Sequence, residues 1–422
     1  IDPEYGTMDD FKNLVDQAHI LNIKVICDLV PNHTSSKHPW FLEAKSSADN
    51  PFRDYYVWSK PKDLTDTLNW YYPKDENKKQ IGNEKYYGFF WSEMPDLNYD
   101  NPKVRAEMVD IAKFWVRETN IDGFRLDAAQ HIYDATEVKK NVLWWQEFRA
   151  ALDEEKKNVY LIGEVVNKDT VVAKYMNNAL TSCFNFDLAV VMQDVARSET
   201  PKNLVDTVIR IRKLYTKSNP NFIDATILSN HDQNRVLDDL KGDINQAGMA
   251  ASLLLTLPGA PYLYYGEEIA MHGQKPDENI REPFLWDQAG KDKSQTSWMK
   301  ARFSTDYSVV PVKQQLQDTS SFLHHYMALL KFRANNEFMR SGEIAKSRIK
   351  HASACAFFRV WEGDSLLVIH NLSKKEITVD IPENESKFED IQFLSGSKYL
   401  RTKSKVKLSP YSTVVLGEKL PR

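Results

Sequence analysis

Four short apolar runs, at 23–26, 121–124, 159–162 and 225–228, each lead directly into side chains that can donate, accept or transfer a proton. The segments are Asp28-Leu29-Val30-Pro31-Asn32-His33, Gly123-Phe124-Arg125-Leu126-Asp127, Leu161-Ile162-Gly163-Glu164 and Leu228-Ser229-Asn230-His231-Asp232. Parallel strands covered on both faces read as near-continuous apolar runs of this kind. Between them lie helical patterns. Thr7 reads as an N-cap before Phe11, Leu14, Val15, Ala18 and Leu21 at helical spacing. Asn101-Pro102 opens a second helix with Val104, Met108, Ile111 and Trp115 on one face. Further helices are expected over 138–157, 203–217 and 244–257. The alternation is a run of βα units, which predicts an α/β fold around a parallel sheet. In a closed barrel of such units, the C-terminal strand ends share one rim, and that rim is where catalytic groups stand.

Six strands are expected, at 23–30, 121–127, 159–164, 183–188, 224–231 and 261–265. The rhythm stops between Pro31 and Asn98, where Trp70, Tyr71, Tyr72, Tyr86, Tyr87, Phe89, Phe90 and Trp91 crowd a polar insertion. A long insertion after one strand is usually functional. Most of these rings should pack the insertion itself, leaving one or two to stack on a ligand. After about residue 340 the pattern becomes short β-like runs at 354–361, 365–372, 376–381 and 412–416, which suggests an antiparallel sandwich.

A chain of 422 residues exceeds one typical domain and suits a large barrel plus a smaller one. A net charge of −4, with both signs mixed, gives no electrostatic case for nucleic acid or an anionic membrane. The apolar stretch at 250–265 is broken by Pro258, Gly259 and Pro261, so no transmembrane segment is read. Cys27, Cys183 and Cys355 sit in apolar runs and read as free thiols, with no spacing suited to zinc or iron–sulfur ligation. Ile1-Asp2-Pro3 is neither an initiator Met nor a signal peptide, so cellular location stays open.

The four motifs, in this order, resemble the signature regions of the α-amylase family of glycoside hydrolases. A fifth, Met94-Pro95-Asp96-Leu97-Asn98, resembles the group lying between oligo-1,6-glucosidases and neopullulanases. The resemblance implies a (β/α)8 TIM barrel with an inserted domain B and a C-terminal antiparallel β-sandwich. Its division here would be barrel over 1–30, domain B over 31–98, barrel again over 99–339 and sandwich over 340–422. The first two of eight barrel strands would then precede Ile1.

The same resemblance implies the site. Asp127 would be the nucleophile, Glu164 the general acid/base and Asp232 the third acid, holding sugar hydroxyls at the reacting ring. Retaining hydrolysis needs its two carboxyl groups ~5–5.5 Å apart, and adjacent strands lie ~4.8 Å apart, so neighbouring strand ends can meet that need. Arg125 shares a strand face with Asp127 and would keep it ionised. His33 and His231 match the family's sugar-binding histidines, and His131 a residue on the acceptor side. Before His131 stands Gln130, where many amylases carry Lys. Ala128 stands where related oligo-1,6-glucosidases have Val, which leans the chain towards α-1,4 bonds. Asn32 matches the family's calcium-linked asparagine, and calcium is held open on that basis. The expected activity is retaining hydrolysis of α-1,4 bonds in starch-like glucans or malto-oligosaccharides. An α-glucosidase or transglycosylase of the same family is the alternative, with a non-catalytic amylase-like homologue behind it.

Overall fold

The computed structural model describes residues 1–288 and 290–419. It divides into two compact units, Ile1–Phe184 with Tyr215–Phe222, and Asn185–Leu214 with the chain from Ile223 onward.

The first unit carries four parallel strands, Ile26–Leu29, Gly123–Leu126, Tyr160–Gly163 and Ser182–Phe184, hydrogen-bonded in that order. Ile26 pairs with Gly123, Gly123 with Tyr160, and Ile162 with Ser182. Gly123 permits the tight pairing: a Cβ there would stand 2.0 Å from the Tyr160 carbonyl oxygen. Helices Met8–Ile20, Pro102–Thr119, Val138–Glu155 and Asp169–Tyr175 alternate with these strands. Thr7 caps the first helix as expected. Its hydroxyl accepts the Asp10 N–H, and the Asp10 carboxylate accepts the Thr7 N–H, a complete capping box. Asn101 caps the second, with Pro102 at its first turn and Asn120 closing it in the left-handed region.

The insertion after the first strand holds helix Pro39–Ser46 and three short strands, Trp58–Ser59, Lys85–Tyr87 and Trp70–Tyr71, paired in that order. Its rings do largely pack one another: Phe41 lies 4.8 Å from Tyr86 and 5.0 Å from Tyr56 by ring centroid. Phe90 and Trp91 are the exposed ones, at 46% and 52%.

The second unit carries the parallel pair Ile223–Thr226 and Ala260–Pro261, with helices Phe186–Ser198 and Ile244–Thr256. The strands expected at 224–231 and 261–265 are shorter, because the residues beyond Thr226 and Pro261 belong to loops. At 183–188 the expectation fails for another reason. The alternation of Cys183, Phe184, Phe186 and Leu188 looks like a strand, but Asn185 caps a helix that begins at Phe186. Its Oδ1 accepts the Leu188 N–H at 3.1 Å, and one turn of helix replaces the second half of the strand.

After residue 342 the chain builds two antiparallel sheets. One runs in the order Glu343–Lys346, Ala354–Trp361, Asp364–Asn371, Ser412–Glu418, Phe388–Ser395, and the other Ile377–Asp380, Lys405–Leu408, Tyr399–Arg401. Leu367, Ile369, Val414 and Leu416 from the first share one apolar core with Ile377, Val379, Val406 and Leu408 from the second, so the two sheets form a sandwich. Cys27, Cys183 and Cys355 are free thiols.

Candidate active site

Sheet register builds the first cluster of candidate residues. Asp28 is the partner of Arg125, and Leu126 that of Gly163. One residue past that last pair, Asp127 and Glu164 leave adjacent strand ends together. The backbone pins both: Asp127 N–H donates to the Leu29 carbonyl at 3.0 Å, and Glu164 N–H to that of Leu126 at 3.0 Å. Arg125, 9% exposed, joins them: Nη1 lies 2.6 Å from Asp127 Oδ1 and Nη2 2.8 Å from Glu164 Oε2. Its Nε lies 3.4 Å from Asp28 Oδ1. Burial works against the guanidinium charge, but Glu164, Asp28 and Asp127 outweigh it and push its pKa up. Arg125 thus stays a cation among three acids. Asp28 belongs to the first motif, in which the sequence reading singles out only Asn32 and His33.

Ala128 adopts φ 47° and is 4% exposed. In that left-handed turn its N–H points to Glu164 Oε2 at 3.2 Å. The residue reaches the acid through its backbone, and its methyl is buried.

His33 and His131 stand on one wall with Asn32 between them. The Asn32 amide donates to the His131 carbonyl at 2.6 Å, and its Oδ1 lies 3.0 Å from His33 Nδ1. Burial lowers the pKa of both rings, against a smaller opposing pull from Asp127 on His33 and from Asp134 on His131. Both therefore favour the neutral form, able to donate and accept one hydrogen bond each. Phe89 stacks on His131 at 4.0 Å, and Phe90 lies edge-on to His33 at 5.4 Å. Beside His131 opens a cleft of ≈ 430 Å³ lined by Trp70, Tyr87, Phe89, Tyr133 and Asp134. Gln130 lies 3.1 Å from His131 Nε2 and also reaches the Val166 carbonyl.

The fifth motif anchors this wall. Asp96 accepts the Phe89 N–H at 3.0 Å and the Asn32 amide at 3.4 Å, while Leu97 N–H donates to the Asn32 carbonyl. Burial raises the Asp96 carboxyl to about 7. The Asn32 amide and its Oδ1 both have partners within the protein. Among the described residues, no cluster of three or more His, Cys, Asp or Glu could hold a metal.

The second unit carries the other motif. Asp232 lies 3.0 Å from His231 Nε2 and 2.6 Å from Arg281 Nη2. The His231 hydrogen bond, and then the charges of His231 and Arg281, lower its carboxyl to about 2. Arg281 also donates from Nε to the His231 carbonyl at 2.9 Å. Nothing in the sequence pointed to Arg281, which stands 49 residues from Asp232 in no recognisable motif.

Comparison with known proteins gives matches over nearly the whole chain. A family model for the α-amylase catalytic domain matches residues 1–342, and one for the C-terminal domain of the α-amylase SusG matches residues 354–415. The chain is 43% identical to α-amylase 3 of Dictyoglomus thermophilum, over 99% of its own length and 80% of the relative's. It is 32% identical to a 4-α-glucanotransferase of Thermotoga neapolitana, over 89% of this chain and 83% of that one. Among solved structures, an α-amylase from H. orenii superposes with a TM-score of 0.88 at 39% identity, covering 99% of this chain and 85% of the other.

Proposed function

The chain belongs to the α-amylase family of glycoside hydrolases, and on that premise we propose that it cleaves α-1,4-glucosidic bonds by a double displacement on Asp127. The observation that carries this is the single guanidinium shared by Asp127 and Glu164. Two carboxyl groups within reach of one Arg head are close, as the retaining geometry needs. Arg125 aims Asp127 through its 2.6 Å contact, so Asp127 attacks the anomeric carbon. Glu164 protonates the departing glycosidic oxygen, then takes a proton from the water that releases the sugar from Asp127. The Arg125 and Ala128 donors both converge on Glu164 Oε2, so the proton to be delivered belongs on Oε1. Family membership supports sugar-hydroxyl contacts for Asp232 with His231, and for His33 in its own unit, with His131 on the acceptor side. The aromatic cleft beside His131 supports residues 31–98 as an inserted domain that walls the acceptor side. Calcium, which α-amylases often bind, is given no residue set and no step.

A 4-α-glucanotransferase among the relatives keeps a second reading in view, in which a sugar hydroxyl replaces water as acceptor. Time-resolved NMR with maltoheptaose separates these readings. The proposal expects α-anomeric products, all shorter than the substrate. Products longer than maltoheptaose would favour transfer, and first-formed β-anomer would overturn the covalent scheme.

A further inference from the structure

Arg235 lies three residues beyond Asp232 and is 2% exposed, one of the largest fully buried side chains in the protein. Its Nε and Nη2 have no hydrogen-bond partner. Burying such a group without full pairing costs stability, and an apolar residue of similar size would serve packing better. What the guanidinium does touch is specific. It lies 4.7 Å from the ring centre of Tyr264 and 4.9 Å from that of Tyr265, and Nη1 donates to the Tyr265 carbonyl at 2.7 Å. Its own N–H holds the Gly273 carbonyl at 2.9 Å. Gly273 leaves room for this: a Cβ there would meet the Ile280 Cα at 3.0 Å and Arg235 Cδ at 3.2 Å.

The two tyrosines pass the constraint on. Tyr264 OH donates to the Ile280 carbonyl at 3.0 Å, and Tyr265 OH to the Glu282 carbonyl at 2.8 Å. Those carbonyls flank Arg281, whose guanidinium grips both the Asp232 carboxylate and the His231 carbonyl. From the other side the Glu282 carboxylate, fully buried, accepts the backbone N–H groups of Phe303 and Ser304.

We propose that Arg235, Tyr264 and Tyr265 are positioning residues that set Arg281, and through it the orientation of the Asp232 carboxylate, for the reaction. The proposal rests on the reading of Asp232 as the third acid. A site constellation must be held within about 0.5 Å by locked neighbours, and a displacement of about 1 Å can cost about 100-fold in rate.

The test is the double variant Tyr264→Phe/Tyr265→Phe, which keeps both rings on Arg235 and removes only the two hydroxyls. On maltoheptaose kcat should fall about 10- to 100-fold while KM moves less than about threefold. In an Arg281→Ala background the same pair of changes should lower kcat by less than about twofold, because the route to Asp232 is already cut. Unchanged kcat in the otherwise native enzyme overturns the proposal. So does an equal loss in both backgrounds, since the tyrosines would then act without Arg281. Asp232→Asn separates the premise. A loss of about 100-fold or more sustains the third-acid reading, and full activity overturns it together with the proposal. A variant Tm within about 4 °C of the parent, beside a selective fall in kcat, distinguishes positioning from simple loss of stability.

Discussion

At residue 128 the backbone contributes a contact to the acid beside whatever the side chain does. Left-handed backbone already costs an L-residue about 1–2 kcal/mol, and a β-branched side chain fits it worse. Ala128→Val should therefore destabilise the fold by about 2–4 kcal/mol, adding overpacking at a site 4% exposed. Thermal unfolding should show a Tm lower by 5 °C or more, with activity on α-1,4 and α-1,6 substrates falling in parallel. A native Tm with a changed linkage ratio would return the side chain to the substrate. Glu267 supplies a pH effect of definite sign. Burial lifts its carboxyl to about 8, with Glu268 adding to the shift and the Tyr326 hydroxyl opposing it. The folded state thus binds the proton more tightly than the unfolded chain, whose Glu titrates near 4.5. Stability from this group is complete below that value and is lost as pH rises through about 8, by up to roughly 5 kcal/mol. Glu267→Gln keeps an oxygen for Tyr326 and carries no proton to lose. Its Tm between pH 5 and pH 8.5 should fall less than that of the parent; identical profiles would place the pH response elsewhere. Asp96, lifted to about 7, contributes in the same direction, so the slope should shrink rather than vanish.

Among the elements, helix Phe186–Ser198 shows how one polar side chain overrides a strand-like pattern. Asn185 is 2% exposed, and besides capping the helix its Nδ2 donates to Asp224 Oδ1 at 3.0 Å. Asn185→Ala removes the cap, worth about 1 kcal/mol, and a buried hydrogen bond worth about 1–3 kcal/mol more. Asn185→Ser keeps a capping oxygen and should rank between the parent and Ala in urea unfolding. Ser no better than Ala would show that the cap contributes nothing there. The insertion works by the opposite logic. Its strands are two or three residues long, and what orders the wall at His33 and His131 is the buried Asn32–Asp96 contact together with the bonds of Asp96 and Leu97 to the backbone.

For the molecule as a whole, the sandwich is tied to helix Ile244–Thr256 and to the segment around Met339–Gly342 by buried polar contacts. Arg359, 0% exposed, donates to the carbonyls of Thr256, Met339 and Gly342, and the His370 ring lies 3.1 Å from the Thr256 hydroxyl. Arg359→Leu would strip partners from three buried carbonyls at once. It should cost about 3–5 kcal/mol, read as a lower urea midpoint at unchanged slope. A midpoint within error of the parent would mean that the apolar core alone joins these parts.

What the sequence by itself determined follows from interactions a few residues long. Apolar runs beside helical spacing specified the βα alternation, Thr7 and Asn101 specified helix starts, and the motifs after each run, through their resemblance to a known family, marked Asp127, Glu164 and Asp232 as candidate acids. Apolar patterns and caps act locally, so they can be read locally. The tertiary structure alone decided who meets whom. Parallel register set Leu126 beside Gly163 and so placed two carboxylates on one guanidinium; neither strand encodes its partner. The same holds for Arg281 on Asp232 and for Arg235 between two tyrosines, contacts made by loops that carry no period. Ala128 shows the limit most plainly: only the turn that the surrounding strands force on it converts an ordinary apolar residue into an amide donor for the acid.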